Sequence, residues 1–255
     1  MFDVSKEIFE FPLETKLKNV SNKPFYGYLG QFPNLPSYES LCVPDVFIPG
    51  SVENFAKIFW PDANPDFCNL VHSCSKPLVK VDEIAKRMIL ESLELQTYVD
   101  ELFGSTDYVF RLTRYKAIQG ENLGLAGHTD GNYLTIVSQN GINGVQILNK
   151  NEEWIDVNIS ENSCIVIVGD ALMAYTNGRL RSPYHRVAMV GNKDRFSLQL
   201  FSAPNVFYKI EAPKELVDDE HPLLFKPYDL LGYAQYIAIR ANQGVPNVLK
   251  SFCGV

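Results

Sequence analysis

The sequence lacks the features by which nucleic-acid-binding and membrane proteins are recognised. It has no run of lysine or arginine, and 30 acidic residues outnumber 23 basic ones, which gives a formal net charge of −7. A basic surface that would attract a phosphate backbone is therefore not expected. No apolar stretch of the sequence approaches the roughly 20 residues that a membrane-spanning helix needs. We expect neither a nucleic acid nor a membrane as a partner.

Cysteine is also scarce, which excludes two classes of small stabilised domain. The five cysteines are odd in number and form no C-x-x-C pair, so neither a disulfide framework nor a zinc ribbon is expected. Residues 1–7 lack the basic and apolar regions of a secretory signal peptide. Cys253 is followed by only two residues, too few for a prenylation motif. We therefore predict a cytoplasmic protein.

The sequence does contain enough apolar residues for a buried core, and its first part predicts helices. Hydrophobic residues make up 46% of the 255 residues and charged residues 21%, which is the balance of an ordinary globular protein. The first eighty residues predict irregular structure, rich in Pro, Gly and aromatics over 23–49, and a short helix over 51–59 with Ser51 as its N-cap. Over 81–103 apolar residues recur every three or four positions before Gly104, which predicts one long amphipathic helix.

Beyond Asp107 the pattern changes to short apolar runs separated by Asn and Gly, which predicts β-strands. The predicted strands cover 133–138, 144–148, 154–157, 164–168, 185–190 and 196–202. Residues 228–241 predict a closing helix. Helices followed by strands indicate an α+β protein, and strands at this spacing are typical of a sandwich or a jelly roll.

Two of the four histidines suggest a metal site. His128 and Asp130 lie two positions apart at the start of the strand series, so in a strand both side chains would point to one face. His185, at the start of a later strand, would complete a set of two imidazoles and one carboxylate, the arrangement associated with non-haem Fe(II) oxygenases. An H-x-D motif is weak by itself because it arises often by chance. The residues that surround it carry more information.

The motif Arg195-Phe196-Ser197 follows His185 and suggests an anion site. Arg195 and Ser197 would point to the same face of a strand, and a guanidinium buried without an anion is costly. A dicarboxylate cosubstrate would meet that need, because its distal carboxylate can accept from both the arginine and the serine. The alternative is that Arg195 pairs with a surface carboxylate.

Together these motifs resemble the signature of the plant 2-oxoglutarate/Fe(II)-dependent dioxygenases. That family includes anthocyanidin synthase, gibberellin oxidases and the glucosinolate side-chain dioxygenases. The resemblance extends along nearly the whole chain through further stretches: 11–16, Phe59-Trp60-Pro61 with Phe67, 154–157, Gly169-Asp170, Asn177-Gly178 and His185-Arg186. The His-Thr-Asp-Gly-Asn-Tyr sequence is closer to the glucosinolate and auxin oxidase branch than to the gibberellin oxidases.

The resemblance implies a fold and a metal centre. The fold would be a double-stranded β-helix (jelly roll) over 106–255, closed by a C-terminal helix. Residues 1–105 would be a flank of helices and irregular segments packed on that core within the same domain. His128, Asp130 and His185 would be the catalytic iron ligands.

The resemblance also implies residues that bind the cosubstrate and the substrate. Arg195 and Ser197 would hold the distal carboxylate of 2-oxoglutarate. Tyr115 matches a tyrosine that contacts the same molecule, although Thr113 stands where many members have Asn. Phe201 matches an aromatic residue that stacks on flat substrates in some members, and its alternative is ordinary packing in the β-core.

The implied activity is the oxidation of a small plant metabolite by hydroxylation, desaturation or demethylation, with release of succinate and CO₂. The enzyme would use Fe(II), 2-oxoglutarate and O₂, with ascorbate as a reductant, and would be a monomer. Family members begin some tens of residues further upstream than this sequence does. Two alternatives therefore stay open: a catalytically impaired, N-terminally truncated relative that acts as a binding protein, and a zinc hydrolase on a cupin-like barrel.

Overall fold

The computed structural model describes residues 1–120, 122–160, 162–240 and 248–255. Its first part comprises α1 (Phe2–Glu10), α2 (Leu13–Lys16), β1 (Leu29–Phe32), β2 (Leu35–Val43), α3 (Ser51–Ala56), α4 (Pro65–Ser92) and α5 (Val99–Gly104). The strand-rich part follows, with β3 (Thr106–Tyr115), β4 (Asn122–His128), β5 (Leu134–Gln139), β6 (Val145–Leu148), β7 (Trp154–Asp156), β8 (Ile165–Val168), α6 (Asp170–Tyr175), β9 (His185–Met189) and β10 (Arg195–Pro204). The chain then forms β11 (Lys209–Ile210), β12 (Tyr228–Asp229), α7 (Leu230–Arg240) and α8 (Val248–Cys253).

The strands form two main antiparallel sheets. The major sheet has the order β1-β2-β3-β10-β5-β8, and the minor sheet has the order β4-β9-β6-β7. One apolar cluster joins their inner faces, and it contains Leu35, Tyr38 and Tyr115 of the major sheet with Val187 and Met189 of the minor sheet. Two packed sheets with helices around them are an α+β architecture, as predicted.

The side chains of β10 alternate between an apolar face and a polar face of the major sheet. Phe196, Leu198 and Leu200 belong to the apolar core that α1, α3 and the first half of α4 help to form. The side chains between them point to the opposite face because successive residues of a strand alternate. Arg195 and Ser197 therefore face the inside of the jelly roll although both are about 1% exposed.

The predicted strands are all present, and their bounds differ from the prediction by one or two residues. The predicted closing helix at 228–241 corresponds to α7, preceded by the short strand β12, and Ala241 lies outside the described residues. The prediction of irregular structure over 23–49 was wrong in part, because β1 and β2 lie there. Since β2 pairs with β3 from Tyr38 to Val43, the N-terminal segment contributes strands to the major sheet. The division into a flank over 1–105 and a core over 106–255 stays a prediction.

The single long helix predicted over 81–103 was also wrong. The helix α4 begins at Pro65, where the Asn64 side chain accepts a hydrogen bond from the Phe67 N–H, and it ends at Ser92. Glu94 then adopts a positive φ of 61°, which breaks the helix before a 3₁₀ turn and α5. The apolar periodicity misled us because two of the most apolar positions, Ile84 and Met88, are 49% and 63% exposed.

The buried face of α4 carries an ion pair at those turns of the helix. The Nζ of Lys86 lies 3.0 Å from Oδ2 of Asp82, and neither side chain is accessible to solvent. The Tyr108 hydroxyl donates to the same carboxylate oxygen, and Lys86 donates to the Thr106 hydroxyl. These contacts attach the middle of α4 to β3. No helix among the described residues is long and apolar enough to cross a membrane.

The buried pair predicts a large effect of one substitution on stability. Lys86→Met should lower the free energy of unfolding by about 3–5 kcal/mol, because Asp82 is left buried without its counter-charge. Lys80→Met is the matched control, since Lys80 forms an exposed pair with Glu83 on the same helix, and it should change little. Urea denaturation of the three proteins measures both. Equal stability of the Lys86 and Lys80 variants would show that the buried pair is not needed.

Candidate metal centre

The two histidines lie at the same end of the minor sheet. His128 is the last residue of β4 and His185 is the first residue of β9, and the two are directly paired across the sheet. Their ring centres are 4.3 Å apart. The antiparallel pairing of β4 with β9 therefore brings together two imidazoles that are far apart in the sequence.

Asp130 lies in the segment 129–133 between β4 and β5, which we call the metal-binding turn. This differs from the predicted geometry. The strand β4 ends at His128, so Asp130 lies beyond it and does not share a strand face with the histidine. Its Oδ1 lies 3.5 Å from Nε2 of His128, and its Oδ2 lies 3.9 Å from Nε2 of His185. One ligand atom from each of the three residues lies within 4.8 Å of the others. The three residues are together as predicted, although a turn and not a strand brings the carboxylate into place.

Hydrogen bonds to the protein backbone orient both imidazoles. Nδ1 of His128 is 2.8 Å from the Ala126 carbonyl oxygen, and Nδ1 of His185 is 3.1 Å from the Pro183 carbonyl oxygen. A carbonyl can only accept, so in each neutral imidazole Nδ1 carries the proton and Nε2 keeps a free lone pair. Both lone pairs are then available to one ion beside Asp130.

The surroundings of Asp130 and His185 favour the forms of these two residues that bind a cation. Burial would raise the pKa of Asp130, but His185, His128 and the Thr135 hydroxyl outweigh it and hold the pKa well below its ordinary value. Burial lowers the pKa of His185. For His128, burial acts in the same direction, yet the Asp130 carboxylate and the Ala126 carbonyl outweigh it and raise the pKa. Near neutral pH the site therefore offers a carboxylate and at least one neutral imidazole, as metal binding requires.

Three arginines are buried on β3 and β10, and their partners distinguish them. Arg114 binds the carboxylates of Glu10 and Glu39 at 2.6 Å each. Arg111 donates to the Ser40 hydroxyl and to backbone carbonyls of the loop before β1. Arg195 donates to the Gln139 side-chain oxygen, from Nε and Nη2 at 3.1 and 3.0 Å. Its Nη1 is buried and has no hydrogen-bond partner among the described residues.

Ser197 and Tyr115 lie beside this guanidinium on the inner face of the major sheet. Arg195 is paired with Tyr115 on β3, and Ser197 is paired with Thr113. The guanidinium carbon is 4.9 Å from the centre of the Tyr115 ring. The Ser197 hydroxyl accepts from Gln199 at 3.2 Å and can still donate its own proton. A carboxylate placed here would find donors from Arg195 and Ser197, which are neighbours on one face of β10.

Phe201 lies further along the same face, next to the metal cluster. It is paired with Thr135 on β5, and the Thr135 hydroxyl donates to Oδ2 of Asp130 at 2.6 Å. Phe201 is half-buried, and the three buried apolar clusters of the described residues do not include it. A contact of Phe201 with a flat substrate stays a prediction.

Comparisons with known proteins identify the family of this chain. Residues 106–204 match the family model of the 2OG-Fe(II) oxygenase superfamily. Over 260 residues the chain is 40% identical to the probable 2-oxoglutarate-dependent dioxygenase AOP1.2 of Arabidopsis thaliana, covering 99% of this chain and 80% of that protein. The chain belongs to the 2OG-Fe(II) oxygenase superfamily. The predicted enzyme class, with Fe(II) and 2-oxoglutarate as cofactor and cosubstrate, is thereby confirmed.

Solved structures of similar proteins confirm the jelly-roll fold of this oxygenase. The rice dioxygenase for auxin oxidation is 25% identical with a TM-score of 0.79, and the match covers 99% of this chain and 84% of that one. JOX2, solved in complex with 2OG, Fe and JA, is 26% identical with a TM-score of 0.77, and the match covers 98% of this chain and 77% of that one.

Another relative is similar in sequence. The 2-oxoglutarate-dependent dioxygenase AOP3 of Arabidopsis thaliana is 29% identical over 349 residues, covering 98% of this chain and 84% of that protein.

Sequence reasoning missed residues of the oxygenase that support the site. Gln139, whose side-chain oxygen accepts two hydrogen bonds from Arg195, stands at the end of a strand and carries no motif. Thr135 belongs to a run predicted only as a strand. Asp170 was noticed as part of a Gly-Asp landmark, yet nothing in the sequence indicated that its N–H would donate to the Asp130 carbonyl at 2.7 Å.

The cluster predicts which residues of the oxygenase are needed for metal binding. His128→Ala, Asp130→Ala and His185→Ala should each abolish Fe(II) binding, because two remaining protein ligands cannot complete the facial set. His221→Ala is the control, since that imidazole is exposed and pairs with Asp218. Anaerobic equilibrium dialysis with Fe(II) gives the affinities. A variant that binds Fe(II) like the unaltered protein removes its residue from the ligand set.

Proposed function

We propose that this oxygenase oxidises a small organic metabolite at an iron held by His128, Asp130 and His185, with 2-oxoglutarate anchored at Arg195 and Ser197. The observation that carries the proposal is the buried Nη1 of Arg195, which has no partner among the described residues. A guanidinium buried with only an amide oxygen for a partner needs an anion, because desolvation of an unpaired charge costs several kcal/mol.

The chemistry of the pocket fits a carboxylate as that anion. Burial lowers the pKa of Arg195 while the neighbouring Tyr115 opposes the shift, and a bound carboxylate would favour the charged form further. The planar fork of an arginine donates two parallel hydrogen bonds to a carboxylate. The Ser197 hydroxyl, two positions along the same face, would supply another donor. Tyr115 would hold the guanidinium in place by stacking under it.

The protein and its cofactors have separate tasks in such an enzyme. Iron and 2-oxoglutarate supply the oxidising chemistry when bound, with release of succinate and CO₂. The two backbone-bonded imidazoles keep their lone pairs directed at the metal position. Thr135 orients the Asp130 carboxylate by donating a hydrogen bond to its Oδ2.

The relatives indicate the class of substrate. The rice relative is named for auxin oxidation, and JOX2 was solved with JA beside 2OG and Fe. We propose that this chain also acts on a small organic plant metabolite, by hydroxylation, desaturation or demethylation, with ascorbate as a reductant. Phe201 would contact that substrate, since it lies on the inner face and is paired with Thr135, which binds Asp130 of the metal cluster.

We further propose that the protein acts as a monomer in the cytoplasm, without nucleic-acid or membrane partners. All five cysteines are free, which supports a reducing compartment.

One alternative keeps some support. A relative named as a probable inactive 2-oxoglutarate-dependent dioxygenase, AOP2 of Arabidopsis thaliana, is 28% identical over 338 residues. A plant extract incubated with Fe(II) and 2-oxoglutarate, with and without the protein, separates the two functions. Succinate formation and the loss of one metabolite only when the protein is present support the enzyme, whereas 2-oxoglutarate binding without succinate supports a binding protein.

The cosubstrate site predicts a graded response to substitution. Arg195→Lys should raise the KM for 2-oxoglutarate on the order of a hundredfold, because a point charge loses the bidentate fork. Ser197→Ala should raise it roughly tenfold, the loss of one hydrogen bond to a charged group at about 1.5 kcal/mol. The measurements are succinate formation and an anaerobic 2-oxoglutarate titration.

Arg114→Lys is the control for this series, since Arg114 binds Glu10 and Glu39 and not Gln139. Its KM for 2-oxoglutarate should stay within about twofold, because Arg114 is paired with Phe196 and therefore points to the opposite face of the major sheet from Arg195. If Arg195→Lys and Ser197→Ala both bind 2-oxoglutarate as tightly as the unaltered protein, the proposed pocket is wrong.

The position of Phe201 predicts that its substitution weakens the binding of the organic substrate specifically. Phe201→Ala should raise the KM for the metabolite by at least tenfold while the affinities for Fe(II) and 2-oxoglutarate change little, since an aromatic stacking surface is lost. Phe196→Ala, on the opposite face of the same strand and 3% exposed, is the control and should lower the melting temperature instead. Equal losses for all three ligands in Phe201→Ala would assign Phe201 to the core.

A further inference from the structure

A buried carboxylate outside the proposed ligand set lies directly beneath the metal-binding turn. Asp170 is 2% exposed and is the first residue of α6. Its backbone N–H donates to the Asp130 carbonyl at 2.7 Å, and its side-chain Oδ2 accepts from the Thr129 hydroxyl at 2.9 Å. Thr129 is the residue between His128 and Asp130. Asp170 therefore holds the turn at two positions, one of them a proposed ligand.

The preceding residue shows how closely the two segments approach. A Cβ atom on Gly169 would lie 2.1 Å from the Asn132 carbonyl oxygen and 3.0 Å from the Asp130 carbonyl oxygen. The Gly169 N–H donates to the Tyr133 carbonyl at 2.8 Å. Only a glycine permits this approach, and the approach places the Asp170 side chain within hydrogen-bond distance of Thr129.

The same carboxylate oxygen also binds the C-terminal helix. The hydroxyl of Tyr233, which lies on α7, donates to Oδ2 of Asp170 at 2.6 Å. Tyr233 is fully buried in an apolar cluster with Phe252 of α8 and Tyr228 of β12. One oxygen atom of Asp170 thus accepts from Thr129 in the metal-binding turn and from Tyr233 in the helix that covers it.

We propose that Asp170 is a positioning residue that couples the docking of α7 to the spacing of the metal ligands. The inference deepens the proposed function and rests on the proposed metal site. With Tyr233 in place, Oδ2 of Asp170 is held where Thr129 can reach it, and the turn keeps His128 and Asp130 directed at the same point. When the Tyr233 hydroxyl is removed, the carboxylate is free to rotate and the turn loses one of its two supports.

The chain provides a closely matched pair of tyrosines for a test. Tyr233 and Tyr228 are both buried, their rings are in edge contact with centres 5.5 Å apart, and both rings contact Phe252. The Tyr228 hydroxyl, however, has no hydrogen-bond partner among the described residues. Tyr233→Phe and Tyr228→Phe thus remove the same atom from the same cluster, and only the first removes a contact with Asp170.

The experiment measures Fe(II) affinity by anaerobic equilibrium dialysis, beside the melting temperature of each variant without metal. We expect Tyr233→Phe and Thr129→Val each to weaken Fe(II) binding about 10- to 100-fold, the usual effect of losing a hydrogen bond that orients a metal ligand. Tyr228→Phe should bind Fe(II) like the unaltered protein. The double variant Thr129→Val/Tyr233→Phe should lose less than the product of the two single effects, because both act through one oxygen.

Each outcome decides between distinct conclusions. If Tyr233→Phe keeps full Fe(II) affinity, or loses no more of it than Tyr228→Phe does, the coupling is overturned and Tyr233 serves only packing. If the two single effects multiply in the double variant, Asp170 does not connect them and the proposal is wrong. His128→Ala reports on the underlying site: unchanged Fe(II) binding in that variant would overturn the proposed function itself, whereas its loss with a normal Tyr233→Phe would overturn the coupling alone.

Discussion

The register between β3 and β10 is the constraint on which the site depends. The two strands are paired without interruption from Arg195 opposite Tyr115 to Pro204 opposite Thr106. Because strand side chains alternate between faces, this register sends Phe196 and Leu198 into the apolar core and Arg195 to the inside. A slip of one residue would exchange the two faces and bury the guanidinium among the phenylalanines. Burial of the apolar face therefore determines where the polar face lies.

The metal cluster forms where the chain passes from one sheet to the other. The strand β4 belongs to the minor sheet and ends at His128, and β5 belongs to the major sheet. Between them the Tyr133 N–H donates to the Ser202 carbonyl of β10 at 2.8 Å, which attaches the end of the crossing segment to the major sheet. Asp130 lies within that crossing. Its carboxylate can therefore meet two histidines of the minor sheet while it accepts from Thr135 of the major sheet.

Much of the site could be predicted from the sequence because its chemistry needs particular residue types at short spacings. His128 with Asp130, and Arg195 with Ser197, are pairs of this kind. The strand that carries Ser197 was predicted from the apolar run over 196–202, whereas β4, which ends at His128, was not among the predicted strands. The position of Asp130 in a turn could not be predicted, since the H-x-D spacing suits a strand equally well. That position results from contacts with Gly169 and Asp170, which are some forty residues away in the sequence.

The errors in the N-terminal part have a common physical origin. The strand β2 was missed because proline and glycine around it indicate a loop, and only its pairing with β3 gives it a regular structure. The helix α4 was misplaced because local apolar periodicity was taken as the buried face. Its actual buried face includes Asp82 and Lys86, whose charges neutralise each other at 3.0 Å. Contacts with residues distant in the sequence determine both the strand β2 and the buried face of α4. A local sequence pattern does not contain these contacts.

The inside of the jelly roll holds charge that the protein alone leaves incompletely balanced. Asp130 is an anion among two neutral or weakly basic imidazoles, and Arg195 is a cation whose partner is a neutral amide. A core of apolar residues in their place would be more stable, because buried charges rarely recover their desolvation cost. The balance changes when a divalent cation lies beside Asp130 and a carboxylate lies beside Arg195, since each then neutralises one buried charge. The large apolar clusters on the outer face of the major sheet and beneath α7 stabilise the fold. Their burial offsets the cost of holding these charged side chains in place before the ligands bind.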